Sequence, residues 1–367
     1  MYPSFIVEYG VAPHHLSKEV FVGIVKWLRE TRVEAKHTGR KLEADALKIV
    51  INRIYGALND AMDYLYDPEC TYTVTINLQL LLCGLIEAFE LNNFDVLSAN
   101  TDGLLVRLPL NRQGMFKHIC NEWSAYSKLD LETEKFEKYC RSAVNDYIAV
   151  GYGFYDALQE YNRCGVWIDS KGNTYTTRQA IEDKFIKFKG YFLQDPEYNK
   201  GFVYPVVKKA LKEYFLYGVD ITEFIRNYIN TSRTAIYDYC FSQKVAGKYT
   251  TIYKTVRDGK PVYIKCQKHN RFYICKSGGG AITKAIVPDS DNIAYGDDIS
   301  GIVVEEEKSL VAGQRVALFN DYEYKEDYNL NYGFYINEAY KILYGNGKTG
   351  KGERRGINNN SNNLFGW

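Results

Sequence analysis

The stretch from Ser17 to Asn59 limits what this chain can fold into more than any other. Val20, Ile24, Trp27 and Leu28, then Ala46, Leu47, Val50, Ile51 and Ile54, recur at helix spacing. Thr38-Gly39 interrupts the pattern near its middle, so the segment reads as a helical hairpin with a polar tip. On the second arm Lys48, Asn52 and Tyr55 stand at i, i+4 and i+7 and share one face, with Gly56 next in the chain. A cation, an amide and a ring on one stripe are poorly explained as core. They are either a ligand-facing surface or a solvated face that ends at a glycine cap.

Around this hairpin the pattern is mixed. Residues 1–16 read as a short strand and loop ended by Pro13, and a third helix covers about 76–92 with Leu78, Leu82, Leu85, Ile86 and Phe89 on one face. Val96–Ser98 and Leu104–Leu108 flank a tight turn at Asn100–Gly103, the pattern of a β-hairpin. Residues 111–141 read as helical. Asp146–Val150 and Phe185–Phe192 read as strands, separated by a loop with its own turn at Asp169–Asn173. A helical part begins near Val203, and β-rich stretches follow around 249–286 and 300–318. The fold class expected is α+β with antiparallel sheet. From residue 343 onward Gly, Asn, Ser, Lys and Arg dominate, which predicts a disordered basic tail.

Composition narrows the classes. Lys plus Arg number 46 and Asp plus Glu 45, so net charge does not point to a polyanion, although a locally basic cleft remains open. Tyrosine is abundant, at 33 copies, which suits base stacking and suits an ordinary half-buried surface equally. The eight cysteines form no CxxC pair. Cys266, His269 and Cys275 come nearest to a zinc pattern but lack an evident fourth ligand, so no zinc site is expected. The Tyr-Pro opening is not a secretory signal, and no run of about 18 apolar residues stands out. A reduced, cytoplasmic protein without a membrane segment is the expectation.

Asn100-Thr101-Asp102-Gly103 would display a carboxylate at a hairpin tip, desolvated on one side and open on the other, as a divalent-metal ligand must be. Taken alone, Asp-Gly at such a tip is ordinary turn chemistry. Beside it stands Lys48-x-x-x-Asn52-x-x-Tyr55-Gly56, which resembles motif B of family B DNA polymerases. Asn-Thr-Asp-Gly is similar to their motif C, and Tyr2-Pro3-Ser4 to the end of motif A, in the correct order A, B, C. Arg32-Val-Glu-Ala-Lys36 resembles the other fingers helix, and Lys187-Phe188-Lys189-Gly190 the palm motif that touches duplex DNA. Pro205–Phe215, Asn270–Tyr273 and Gly278–Lys284 resemble, more weakly, the thumb of phage enzymes. The resemblance spans about residues 1 to 340.

The resemblance implies a right-hand architecture, with palm at 1–16, fingers at 17–60, palm again at 61–200, thumb at 201–342 and tail at 343–367. It implies template-directed transfer of nucleotides from dNTPs to a primer 3′-hydroxyl on primer-template DNA, with two Mg²⁺ ions. Asp102 would be the metal ligand and catalytic carboxylate, with Asn100, Thr101 and Gly103 as its turn. Arg32, Lys36 and Lys48 would neutralise the triphosphate. Tyr2 would lie under the incoming sugar, while Asn52 and Tyr55 would line the new pair and Gly56 would allow a close approach. Lys187, Lys189 and Gly190 would serve the duplex backbone.

Two departures qualify this. Asn100 replaces the first acid of motif C, and the motif A aspartate would precede Met1. The expectation is therefore a C-terminal part without the exonuclease half, completed by an upstream polymerase fragment. The alternative is a non-catalytic DNA-binding remnant. An RNA-templated polymerase is disfavoured by the lack of a paired-aspartate hairpin. Only 45 residues lie between Tyr2 and Lys48, positions 3 to 47, which leaves no room for a large strand-displacement insertion and favours nucleic-acid priming. The resemblance points to a phage protein in host cytoplasm. The apolar end Asn362–Trp367 would suit a sliding clamp.

Overall fold

The computed structural model describes residues 1–190 and 204–344. The expected basic tail beyond residue 344, its clamp-docking end and the far end of the strand expected over 185–192 lie outside them, while residues 343 and 344 end a helix. The chain is mixed α+β with antiparallel sheets, and it divides into two compact units, Met1–Glu134 and Lys135–Trp367.

In the first unit, α1 (Tyr2–Tyr9) is followed by α2 (Lys18–His37) and α3 (Lys41–Ala57), which form the expected hairpin. Ser17 caps α2 by accepting from the Val20 amide, Glu19 lies in its first turn, and Lys36 and His37 lie in its last, each matching the helix dipole. Next comes α4 (Pro68–Leu91), whose cap Asp67 accepts from the Cys70 amide at 2.9 Å, with Pro68 in the first turn where its missing N–H costs nothing. The hairpin β1 (Val96–Asn100) and β2 (Gly103–Val106) and the helix α5 (Gln113–Ser127) complete the unit. Its core joins Phe5 and Ile6 of α1, Phe21 and Val25 of α2, Val74, Leu78, Leu85 and Phe89 of α4, and Trp123 of α5. The Trp123 indole donates to the Leu81 carbonyl at 2.7 Å and fixes α5 to α4.

The second unit opens with β3 (Phe136–Ala143) and β4 (Asp146–Gly151), then α6 (Phe154–Cys164), the two-residue strands β5 (Trp167–Ile168) and β6 (Thr174–Tyr175), α7 (Arg178–Phe185) and β7 (Ile186–Lys189). The sheet order is β3-β4-β7, antiparallel throughout. After α8 (Pro205–Tyr217), α9 (Ile221–Asn227) and α10 (Ile236–Tyr239) come β8 (Cys240–Lys244), β9 (Thr250–Arg257), β10 (Lys260–Cys266), β11 (His269–Cys275) and β12 (Ala281–Ile286). The last elements are β13 (Glu305–Ser309), β14 (Arg315–Leu318) and α11 (Tyr332–Tyr344). They form the sheets β14-β11-β8 and β10-β9-β12-β13.

Several local expectations change. Residues 2–9 are helix rather than strand: Pro3 suits a first helical turn, Gly10 closes the helix at φ 62°, and burial of Phe5 and Ile6 rewards it. The helix expected through residue 141 stops at Ser127, because Phe136–Ala143 pairs with β4 as a strand. The loop expected between 150 and 185 contains α6 and α7, and a further helix, α11, closes the described chain. On α2 the core side is Phe21, Val25 and Leu28, while Val20, Ile24 and Trp27 are exposed. One described helix, α4, is long and apolar enough to cross a membrane by length and composition. Scanning for an unbroken apolar run missed it because Thr, Asn and Gln interrupt its leucines. Core helices of globular domains meet the same criterion, and Cys70, Val74, Leu78, Leu82, Leu85 and Phe89 of α4 are buried.

Candidate functional site

The hairpin turn presents Asp102 as expected. Asn100 pairs with Gly103 across the β1–β2 ladder, leaving Thr101 and Asp102 at the exposed tip. Thr101 adopts φ 51°, a left-handed conformation costly for a β-branched residue, and its hydroxyl donates to Asn100 Oδ1 at 3.1 Å.

Asp102 lies close to the start of α1. Burial raises the pKa of the Tyr2 hydroxyl, and the Asp102 carboxylate adds to that rise. Burial likewise lowers the pKa of the Met1 amine. Asp102 opposes that fall, while Arg29 and Arg32 of α2 reinforce it. The Tyr2 ring stacks on Tyr55 of α3, with centroids 4.1 Å apart and planes within 4°. The Tyr55 hydroxyl bonds Thr75 of α4, and burial raises its pKa. Tyr2 thus stacks on the ring of the hairpin's second arm and feels the charge of the β-turn carboxylate.

Further along the hairpin, a groove of about 200 Å³ is lined by Arg32 and Lys36 from α2, Gly39 from the tip, and Lys41, Ala44, Asp45 and Lys48 from α3. All three cations expected to share an anion line it together. Arg32 Nε is buried without a hydrogen-bond partner, a costly state unless something else satisfies it. Lys41 and Asp45 were not singled out in the sequence, although their spacing of seven and three residues from Lys48 puts them on its helix face. Asn52 is exposed on that face between Lys48 and Tyr55. Gly56 is not a cap, since α3 runs on to Ala57, and a methyl group there would meet nothing within 4 Å. The chain itself therefore imposes no close approach at Gly56.

Lys187, Lys189 and Gly190 belong to the second unit. The register sets Lys187 opposite Ala149 and Ala149 opposite Tyr139, while Lys189 faces Tyr147 and Tyr147 faces Arg141. Strand alternation therefore collects Lys187, Lys189, Arg141, Tyr139 and Tyr147 on one face, opposite the buried Cys140, Ile148, Val150 and Ile186. Tyr139 and Tyr147 stack at 4.9 Å, and the Lys189 ammonium lies 5.9 Å from the Tyr147 ring. Arg141 and Tyr139 escaped the sequence reading because residues 111–141 were assigned to a helix. Gly190 is required by geometry: at φ 64° its missing Cβ would fall 1.8 Å from Asp146 Oδ1 and 2.2 Å from the Asn145 carbonyl. A larger cavity in this unit, about 460 Å³ beside Arg233, Tyr324 and Tyr332, includes none of the sequence-predicted residues.

The fit to a pair of Mg²⁺ ions is partial. Such a pair needs at least two carboxylates and further oxygen donors. Asp102 offers one carboxylate, and among the described residues no group of three or more His, Cys, Asp and Glu side chains is arranged to hold an ion. No protein-family model and no curated protein matches the chain.

Proposed function

We propose that this chain is the C-terminal part of a DNA-directed DNA polymerase of the family B kind, with α2 and α3 as fingers and the β-hairpin turn as the motif C of its palm. One observation carries the reading. Three stretches far apart in sequence, 2–4, 32–55 and 100–103, converge through the Tyr2–Tyr55 stack, the charge of Asp102 on Tyr2, and the groove shared by Arg32, Lys36 and Lys48. Each contact joins residues that the motif order pairs.

The residues divide the work. Arg32 offers a planar fork of donors and Lys36 and Lys48 offer point charges, together offsetting the negative charge of a triphosphate. The Tyr2 ring, held flat against Tyr55, walls the space an incoming sugar would fill and leaves little room for a 2′-hydroxyl. Bound Mg²⁺ would supply activation of the attacking hydroxyl and neutralisation of the leaving phosphate. Asp102 is the group of this chain that would hold it, and a second carboxylate would have to come from outside the described residues. In the second unit, the face of Lys187, Lys189 and Arg141 with its tyrosines suits duplex backbone, a salt-sensitive and sequence-independent contact.

The test is direct. Lys48→Ala should weaken deoxynucleoside triphosphate binding by about tenfold or more, the usual weight of a charged hydrogen bond. Unchanged binding would remove the basis of the reading. Primer extension by the chain alone should be feeble and should rise when a polypeptide supplying the second carboxylate is added. The partial metal fit favours a second reading, a DNA-binding remnant without chemistry. That reading predicts primer-template binding with no gain in extension under any complementation.

A further inference from the structure

Resting on that reading, the charge arrangement at the hairpin tip extends it. Several cations elsewhere in the first unit are engaged. Arg29 approaches Glu8 at 3.7 Å, Arg53 holds Asp63 at 2.9 Å, and Arg107 holds Asp95 at 3.1 Å. The four cations of the groove differ: among the described residues Arg32, Lys36, Lys41 and Lys48 have no ion-pair partner within 4 Å. Acids close to the tip are tied elsewhere. Arg40 Nη1 donates to both carboxylate oxygens of Glu43, at 2.9 and 3.1 Å, and Nη2 to Glu34 at 3.1 Å, while its Nε donates to Thr38. The groove lining carries one carboxylate, Asp45, against four cations, a local balance of +3. The first turn of α3, at whose start Lys41 stands, has no side-chain cap, so backbone donors there add to the positive field.

We propose that Lys41 is a fourth phosphate-binding residue of this groove, and that Arg40 is a positioning residue that holds Glu34 and Glu43 away from it. Four unpartnered cations in one concavity repel one another, and an anion carrying several charges relieves that repulsion for all of them at once. A single exposed pair gains little in water. The gain here comes from one ligand meeting four charges beside a buried, unsatisfied guanidinium nitrogen. Released from Arg40, the two glutamates would be free to compete with the ligand for the lysines.

The experiment uses the full chain and inorganic tripolyphosphate, which engages the groove without metal or primer, with binding followed calorimetrically at low and at physiological salt. Lys41→Gln should weaken binding about five- to tenfold, less steeply at high salt, and Lys41→Arg should restore most of it. Lys26→Gln, which removes an equal charge from a lysine of α2 placed 4.0 Å from Glu30 and outside the groove, is the control, with a change of about twofold or less. Equality of Lys41→Gln with Lys26→Gln overturns the role of Lys41. Arg40→Gln should weaken binding about two- to fivefold, and that effect should vanish in a Glu34→Gln/Glu43→Gln background. An effect that persists there means Arg40 acts by its own charge and overturns its positioning role. All these side chains are at the surface, and helix content by circular dichroism shows whether the hairpin is intact. If Lys48→Ala too leaves tripolyphosphate binding unchanged, the triphosphate reading itself fails. If only Lys41→Gln and Arg40→Gln are silent, this inference alone fails.

Discussion

Gly190 and Asp67 show how single residues hold each unit together. A side chain at Gly190 would overlap Asp146 and the Asn145 carbonyl while sitting at positive φ, so Gly190→Ala should destabilise the second unit by about 2 kcal/mol or more, read by chemical denaturation. Asp67 caps α4 and also accepts from the His14 amide and ring, each at 2.8 Å. Burial pushes its carboxyl up, but the bonds from Cys70 and His14 outweigh that and bring it to about 2 from the ordinary 3.8. The bond to Asp67 raises the His14 pKa above the ordinary 6.5. A depressed carboxyl stabilises above its unfolded value and loses that stability as pH falls toward 2. A raised imidazole stabilises below its unfolded value and loses that stability as pH rises through its folded one. Asp67→Asn keeps a capping oxygen and removes the charge. The melting-temperature gap between wild type and Asp67→Asn should therefore be widest between pH 4 and 6.5 and shrink on both sides. A gap independent of pH would mean that the cap, not the ion pair, carries the effect.

At the scale of elements, burial and strand pairing overruled local pattern in several places. The eight-residue α1 is too short to display a period, and its identity rests on Phe5 and Ile6 reaching the core. On α2 two apolar stripes compete, and burial in the core of the first unit selects Phe21, Val25 and Leu28 over Val20, Ile24 and Trp27. Phe136–Arg141 has charges that suit a helix, yet hydrogen bonding to β4 makes it a strand. The α4–α5 contact is tested by Trp123→Phe, which deletes the indole bond to Leu81 and should cost about 1 to 2 kcal/mol in urea unfolding. Loss of less than a few tenths would show that ring burial alone fixes the pair.

For the whole molecule, the proposed reading gives the two basic faces different ligands, duplex DNA for the face of Lys187 and Lys189 and a triphosphate for the α2–α3 groove. Replacing Lys187 or Lys189 by Ala should weaken primer-template binding uniformly across sequences and lower the slope of log affinity against log salt by about one each. A sequence-dependent loss would instead indicate base reading. The groove cations should affect triphosphate binding and leave that slope nearly unchanged, so the two variant sets should separate cleanly.

What the sequence determined by itself is what neighbours along the chain decide: the α2–α3 hairpin with its Thr38-Gly39 break, the Lys48–Asn52–Tyr55 stripe, and the carboxylate at a tight turn. Helical spacing and turn chemistry depend on residues a few positions apart, so they are legible without coordinates. Tertiary structure alone decided that Tyr2 lies flat on Tyr55, that Arg32 and Lys36 meet Lys48 across a groove, and that Arg141 shares a face with Lys187 and Lys189. Each of these depends on elements far apart in sequence burying apolar area against one another or exchanging backbone hydrogen bonds, which no periodicity within one segment encodes.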